Sequence, residues 1–355
     1  MREYDIAAIP GDGIGQETVP AARRVLDALA GPHGFRLRWT DYPWGCAYYG
    51  ETGRMMPEDG LERLAGADAI LLGAVGAPDV PDHVSLWGLL VPIRRRFDQY
   101  VSLRPARPLP GTRLPLRDDR PFDVVVVREN TEGEYSQIGG RMFTGTPEEF
   151  AVQEAVFTRR GVERIARYAF ELAERRSGKV ASATKSNGIV HTMPFWDEVV
   201  EEVARDHPGV ELTRYHADAL AALLVLNPRR FDVILASNLL GDILSDLTSA
   251  LAGGIGIAPC GNIDPTRRHP SMFEPIHGSA PDIAGTGTAN PIGQIWSAAM
   301  MLEHLGETVA AARLTKVLEQ TVLAGDVTPD LGGALSTDEV CDAIVERLRH
   351  AAVPA

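Results

Sequence analysis

A chain of 355 residues with 45% hydrophobic and 23% charged residues has the composition of a globular protein, and is long enough for two lobes around sizeable cores. Its formal net charge of −13 argues against nucleic acid or an anionic membrane surface as the main partner. Cys46, Cys260 and Cys341 share no CxxC spacing and form no disulfide framework, which points to free thiols in a reducing compartment.

Apolar strand-like runs alternate with helical patterns, the signature of an α/β fold. Tyr4–Ile9 reads as a strand, residues 11–15 as a glycine-rich tight turn, and 16–30 as an amphipathic helix. The segment 5–9 is too short and lacks the basic leader of a signal peptide. A buried strand follows at 67–75, then a basic helix at 89–97 and extended chain at 101–109. Residues 122–128 form a valine-rich strand, and 134–143, with Gly139 and Gly140 at its centre, reads as a hairpin. A helix at 159–175 and a strand at 180–184 come next, then helix, strand and helix, then a buried strand at 231–236. Beyond Gly253 the chain reads as Gly- and Pro-rich loops to about Asn290, with closing helices near 291–305, 308–323 and 336–350. No apolar run approaches the ~20 residues a membrane span needs, so the expected location is the cytoplasm.

Asp242 and Asp246 follow the 231–236 strand with helical spacing. Positions i and i+4 share one helix face, so both carboxylates reach one point, at the strand edge where open α/β sheets bind ligands. Two hard oxygen ligands suit Mg2+ or Mn2+, although a solvated acidic helix start has the same pattern. Arg94, Arg104 and Arg128 form a second constellation of forked guanidiniums suited to carboxylates, while the neighbours Arg95 and Arg96 read as solvated charge. Of the 35 basic residues only Lys179, Lys185 and Lys316 are lysine. Retention of Lys185 after a strand hints at an amine that must lose its proton, with Tyr135 as a second acid–base candidate. The stretch 11–15 is a poor dinucleotide fingerprint because Gln16 holds its sixth position, even with Asp41 near the ribose-binding distance. The small-residue loop 277–290 would let backbone approach a ligand, and Asp282 would accept hydrogen bonds from a ribose diol.

In order and spacing these segments resemble the β-decarboxylating dehydrogenases, the family of isocitrate, 3-isopropylmalate, homoisocitrate and tartrate/D-malate dehydrogenases. The resemblance rests on Ser102-Leu-Arg-Pro105, Arg128-Glu-Asn-Thr-Glu-Gly-Glu-Tyr135, Ala183-Thr-Lys-Ser-Asn187, Asn238-Leu-Leu-Gly-Asp-Ile-Leu-Ser-Asp246 and the His277 loop. It implies a two-lobed α/β fold with a large twisted mixed sheet flanked by helices, distinct from the Rossmann fold. Residues 1–100 and 256–355 would form the cofactor-binding lobe. Residues 101–255 would form an inserted lobe carrying the dimer interface, a hairpin arm and the metal helix. Carried over residue by residue, Arg94, Arg104 and Arg128 would hold substrate carboxylates. Asp242 and Asp246 would bind Mg2+ or Mn2+ with Asp218 from a partner subunit, and Lys185 would reach across the same homodimer. Tyr135 would act beside the arginines. Gly73, Ala74, Val75, His277, Gly278, Ser279, Ala280, Asp282 and Asn290 would receive NAD, Asp282 matching the NAD-type residue. A requirement for a monovalent cation such as K+ stays open.

The segment Ser85–Tyr100 is most similar to the tartrate/D-malate branch. Trp87, with Leu89 and Leu90, would fill space and favour a small four-carbon 2-hydroxy acid. Leu240 and Gly261 depart from the family's usual aromatic and alanine. The implied reaction is NAD- and metal-dependent oxidation of tartrate and oxidative decarboxylation of D-malate to pyruvate and CO2. The alternatives are a 3-isopropylmalate dehydrogenase and a non-catalytic regulatory subunit. Neither nucleic acid nor membrane is expected as a partner.

Overall fold

The computed structural model describes residues 1–118 and 120–350. Its strands are β1 (Arg2–Gly11), β2 (Phe35–Asp41), β3 (Ala69–Ala74), β4 (Val101–Ala106), β5 (Val124–Glu129), β6 (Gly139–Met142), β7 (Phe150–Gln153), β8 (Lys179–Thr184), β9 (Glu211–His216), β10 (Val233–Ala236), β11 (Pro259–Ile263) and β12 (Ser271–Pro275). The chain divides into two compact units. The first comprises the described parts of Met1–Gln99, Arg107–Pro121 and Ser249–Ala355; the second comprises Tyr100–Ala106 and Phe122–Thr248. Residues 107–121 and 249–255, read from sequence as parts of an inserted lobe, therefore belong to the first unit. Arg107 explains part of this: it pairs with Glu319 at 2.7 Å and lies 5.1 Å over the Trp296 ring.

In the first unit the strand order is β2-β1-β3-β12-β11, parallel except for the antiparallel β11–β12 pair. Side chains alternate across a strand, and here both faces are covered. Ile6, Ala8, Leu71 and Phe273 pack with the helices Gly15–Ala30, Ile292–Leu305, Thr308–Leu323 and Thr337–His350. Ala7, Ile9, Leu72 and Met272 face a cluster with Trp44, Leu89, Ile93 and Phe97. This two-sided burial makes the strands read as continuous apolar runs. β11 and β12 fall in the region read as loops. Pro259, Gly261 and Asn262 disfavour a strand by propensity, but a Cβ at Gly261 would come within 3.1 Å of the Phe273 ring, so packing chose the small residue.

In the second unit the order is β4-β5-β10-β8-β9, with β4 antiparallel to β5 and the rest parallel. The helices Arg159–Glu174 and Thr192–Asp206 bury Ile165, Phe170, Trp196 and Val200 against it. The hairpin is longer and later than the 134–143 segment expected: β6 pairs with β7, and every residue of both strands is exposed. Gly139 lies inside the strand, where a Cβ would fall 2.1 Å from the Val152 carbonyl oxygen. That glycine serves cross-strand approach, and not the turn.

Candidate active site

Strand β10 ends at Ala236, and after Ser237 the helix Asn238–Leu251 begins, so Asp242 sits in its second turn at the carboxyl edge of the strand. Four side chains of the second unit meet there. Arg128, 2% exposed at the end of β5, pairs with Asp242 Oδ1. Arg104 Nη1 donates to the same oxygen at 3.1 Å and to Ser245 Oγ at 2.8 Å. The Tyr135 hydroxyl donates to Asp242 Oδ2 at 2.9 Å, and the Arg128 guanidinium lies 5.5 Å over the Tyr135 ring. Burial first, and then the Asp242 charge, raise the Tyr135 hydroxyl above its ordinary pKa, which keeps its proton in place.

Asp246 lies one turn further on, its carboxylate 3.8 Å from Arg104 Nη1. Burial raises its pKa; Asp242 adds to the rise while Arg104 opposes it. Asp242 and Asp246 thus converge on one guanidinium with side chains 33% and 60% exposed. This all-oxygen donor pair fits a divalent cation, which would relieve the like-charge contact. Among the described residues no three His, Cys, Asp or Glu gather into a metal-holding group. The expected third ligand, Asp218, is therefore not assembled with the pair within one chain. It pairs with Lys185 instead, Nζ to Oδ1 at 2.8 Å, and that bond lowers its pKa.

Sequence reasoning gave no role to the residues that hold this cluster. Asn238 Oδ1 accepts from Arg128 Nε at 3.1 Å and Nη2 at 2.7 Å, and its Nδ2 donates to the Glu132 carbonyl at 3.1 Å. Glu134 accepts from Ser237 Oγ at 2.7 Å and from the Leu239 N–H at 3.1 Å. A Cβ on Gly241 would come within 2.6 Å of Arg128 Cγ, so glycine lets the arginine lie across the helix. The available signal was Ser237-Asn238 directly after a strand, a polar helix start.

In the first unit Arg94 is buried while Arg95 and Arg96 are exposed. Arg94 Nη2 donates to Glu274 Oε1 at 2.8 Å, an oxygen shared with Asn262 Nδ2 at 2.6 Å, and Arg94 Nε is buried without a partner. Trp87 is half-buried beneath the Arg95 guanidinium, 4.9 Å from its ring, in a π-helical turn spanning Leu86–Leu90. Leu89 corrects an expectation: it is 0% exposed in the core and has no surface with which to line a substrate space.

The glycines of 11–15 pack backbone on backbone. A Cβ on Gly11 or Gly13 would lie 2.0 Å from the carbonyl oxygens of Ala74 and Ser279, which accept from Asp12 N at 2.7 Å and Ile14 N at 2.9 Å. The turn thus ties the end of β3, with Gly73, Ala74 and Val75 there, to the loop of Gly278, Ser279 and Ala280. Close packing accounts for these glycines without a pyrophosphate, and Asp41 pairs with Arg23. His277 is 7% exposed, with Nε2 buried and unpartnered and its pKa lowered by burial. That orphaned nitrogen beside a small-residue loop fits a cofactor's polar edge. Asp282 is exposed, whereas the Asn290 side chain is committed internally, to Asp330 at 2.9 Å and the Ile292 N–H at 2.9 Å.

The isocitrate/isopropylmalate dehydrogenase family model matches residues 5–344. The chain belongs to that family. A probable tartrate dehydrogenase/decarboxylase of Bacillus subtilis is 55% identical over 351 residues, covering 98% of this chain and 99% of the relative. D-malate dehydrogenase [decarboxylating] of Escherichia coli is 53% identical over 354 residues, covering 97% and 98%. Among solved structures, isocitrate dehydrogenase from Methylococcus capsulatus matches with a TM-score of 0.89 at 37% identity, covering 98% of this chain and all of that one. The chain is an α/β dehydrogenase of this family, and no helix among the described residues is long and apolar enough to cross a membrane.

Proposed function

We propose that this dehydrogenase oxidises tartrate and converts D-malate to pyruvate and CO2, using NAD and Mg2+ or Mn2+, as a cytoplasmic homodimer with shared active sites. The observation that carries the reading is the meeting of Tyr135, Arg104 and Arg128 on Asp242, an acid and two cations around a metal-type carboxylate. The relatives named for tartrate and D-malate activity support a four-carbon acid.

Arg94, Arg104 and Arg128 would grip the substrate carboxylates. Asp242 and Asp246 would hold the cation together with Asp218 supplied by a second copy. Gly73, Ala74, Val75, His277, Gly278, Ser279, Ala280, Asp282 and Asn290 would receive NAD, with Asn290 acting through its backbone. When bound, the cation would polarise the C2 oxygen and the nicotinamide would accept the C2 hydride. Lys185 would take the C2 hydroxyl proton as general base. After CO2 leaves, Tyr135, protonated through its raised pKa, would give its proton to C3 of the enolate and release pyruvate. With tartrate, oxidation alone gives oxaloglycolate.

Two measurements test this. With NAD and Mn2+, with and without K+, kcat/KM for D-malate and L-tartrate should exceed that for 3-isopropylmalate; the reverse order would make the chain an isopropylmalate dehydrogenase, and no turnover of any acid a regulatory subunit. Mixing inactive Asp218→Asn and Asp242→Asn proteins should restore roughly a quarter of wild-type activity, because half the dimers are mixed and each has one intact site. A mixture as inactive as its components removes the shared site.

A further inference from the structure

The segment 132–135 meets the start of the Asn238–Leu251 helix at three successive points. The Glu132 carbonyl accepts from Asn238 Nδ2, the Glu134 carboxylate takes Ser237 Oγ and the Leu239 N–H, and the Tyr135 hydroxyl reaches Asp242. Ser237 is fully buried, and its hydroxyl donates to Glu134 while its own carbonyl accepts from the Gly241 N–H at 2.8 Å. Glu134 therefore takes the place a capping side chain normally fills. It satisfies a first-turn N–H and sets a negative charge at the positive end of the helix dipole. The adjacent residue carries the phenol, and Asp242 lies one turn along the same helix.

We propose that Glu134 is a positioning residue. It fixes the depth of the carboxylate-bearing helix relative to Tyr135, so that one contact sets both the aim of Asp242 and the distance of the phenol from it. Both its carboxylate oxygens are taken up by the helix start, Oε1 by the Ser237 hydroxyl and Oε2 by the Leu239 N–H, and it acts through them. The turnover half of the inference rests on the reaction proposed above; the metal half rests only on the cation site proposed there. Without Glu134 the first turn loses two hydrogen bonds and the helix end is free to shift. Asp242 and Tyr135 then separate. D-malate conversion should suffer more than tartrate oxidation, because only the former needs a proton delivered to carbon.

The test is Glu134→Ala in the full-length protein, read by titration with Mn2+ alone, followed by electron paramagnetic resonance, and by turnover of both acids. Mn2+ affinity should fall about tenfold, the usual scale for losing a partner that orients a ligand carboxylate, and the D-malate to tartrate turnover ratio should fall by about the same factor. If Glu134→Ala does not fold, Glu134→Gln keeps the shape and one acceptor and should show both changes at smaller size. Either an unchanged Mn2+ affinity or an equal loss on both acids overturns the assignment. Wild-type protein that turns over neither acid would refute the proposed reaction instead, and the Mn2+ titration would still decide the role of Glu134.

Discussion

Asn238→Ala removes the clamp on a buried cation. Arg128 is 2% exposed, and Asn238 Oδ1 takes two of its N–H groups, at 3.1 and 2.7 Å, while Nδ2 serves the Glu132 carbonyl. Alanine removes two hydrogen bonds from the guanidinium and one from the Glu132 carbonyl. Hydrogen bonds to a charged group contribute about 1.5–3 kcal/mol each, so the two to Arg128 amount to roughly 3–6 kcal/mol. Water entering the space vacated by the carboxamide recovers part of this, leaving an expected loss of about 3 kcal/mol. Amide hydrogen exchange along β5 reads this loss within the second unit, without assuming that the whole chain unfolds in one step. Asn238→Asp restores an acceptor for Arg128 but sets a carboxylate against the Glu132 carbonyl, so it should recover only part of the stability. A loss below about 1 kcal/mol in Asn238→Ala would refute the claim that this residue, and not Asp242 alone, secures the arginine.

Glu129, fully buried behind Arg128, has its carboxyl pushed up to about 7 by burial, against hydrogen bonds from Thr131 and Glu132 that favour the ionised form. Because the folded pKa exceeds the unfolded one, the native state binds the extra proton, and stability falls as pH rises from about 4.5 to about 7, by about 3 kcal/mol in all. Glu129→Gln should flatten the fall in melting temperature across that window; a slope equal to wild type would show that Glu129 does not titrate there. Gly13→Ala forces a side chain onto a residue at φ +53° with its Cβ 2.0 Å from the Ser279 carbonyl oxygen. It should cost about 2 kcal/mol or more and loosen the 277–290 loop, measured by thermal unfolding and proteolysis of that loop. A variant as stable as wild type would mean that the turn does not hold the loop.

Much of the fold was legible because buried strands and amphipathic helices leave periodic marks. The valine run of β5, the 159–174 helix and the three closing helices were all read within a few residues of their observed ends. The failures have specific causes. β11 and β12 carry residues that disfavour strands and exist because neighbours cover them. The hairpin was centred on Gly139 because a glycine that permits close cross-strand approach looks like one that permits a turn. Leu89 was assigned to a substrate space because its spacing from Trp87 does not reveal that it faces the core.

At the Asp242 cluster, the sequence by itself determined the groups available: the i, i+4 carboxylates, two of the three arginines and the phenol. Residue type and local spacing are enough for that, since both follow from one helix or one strand end. Tertiary structure alone decided who holds whom. Arg128 depends on Asn238, 110 residues away, Tyr135 on Asp242, and the helix start on Glu134. These bonds depend on strands brought side by side by long-range pairing, and nothing in the local sequence records which donor will face which acceptor once the sheet has formed.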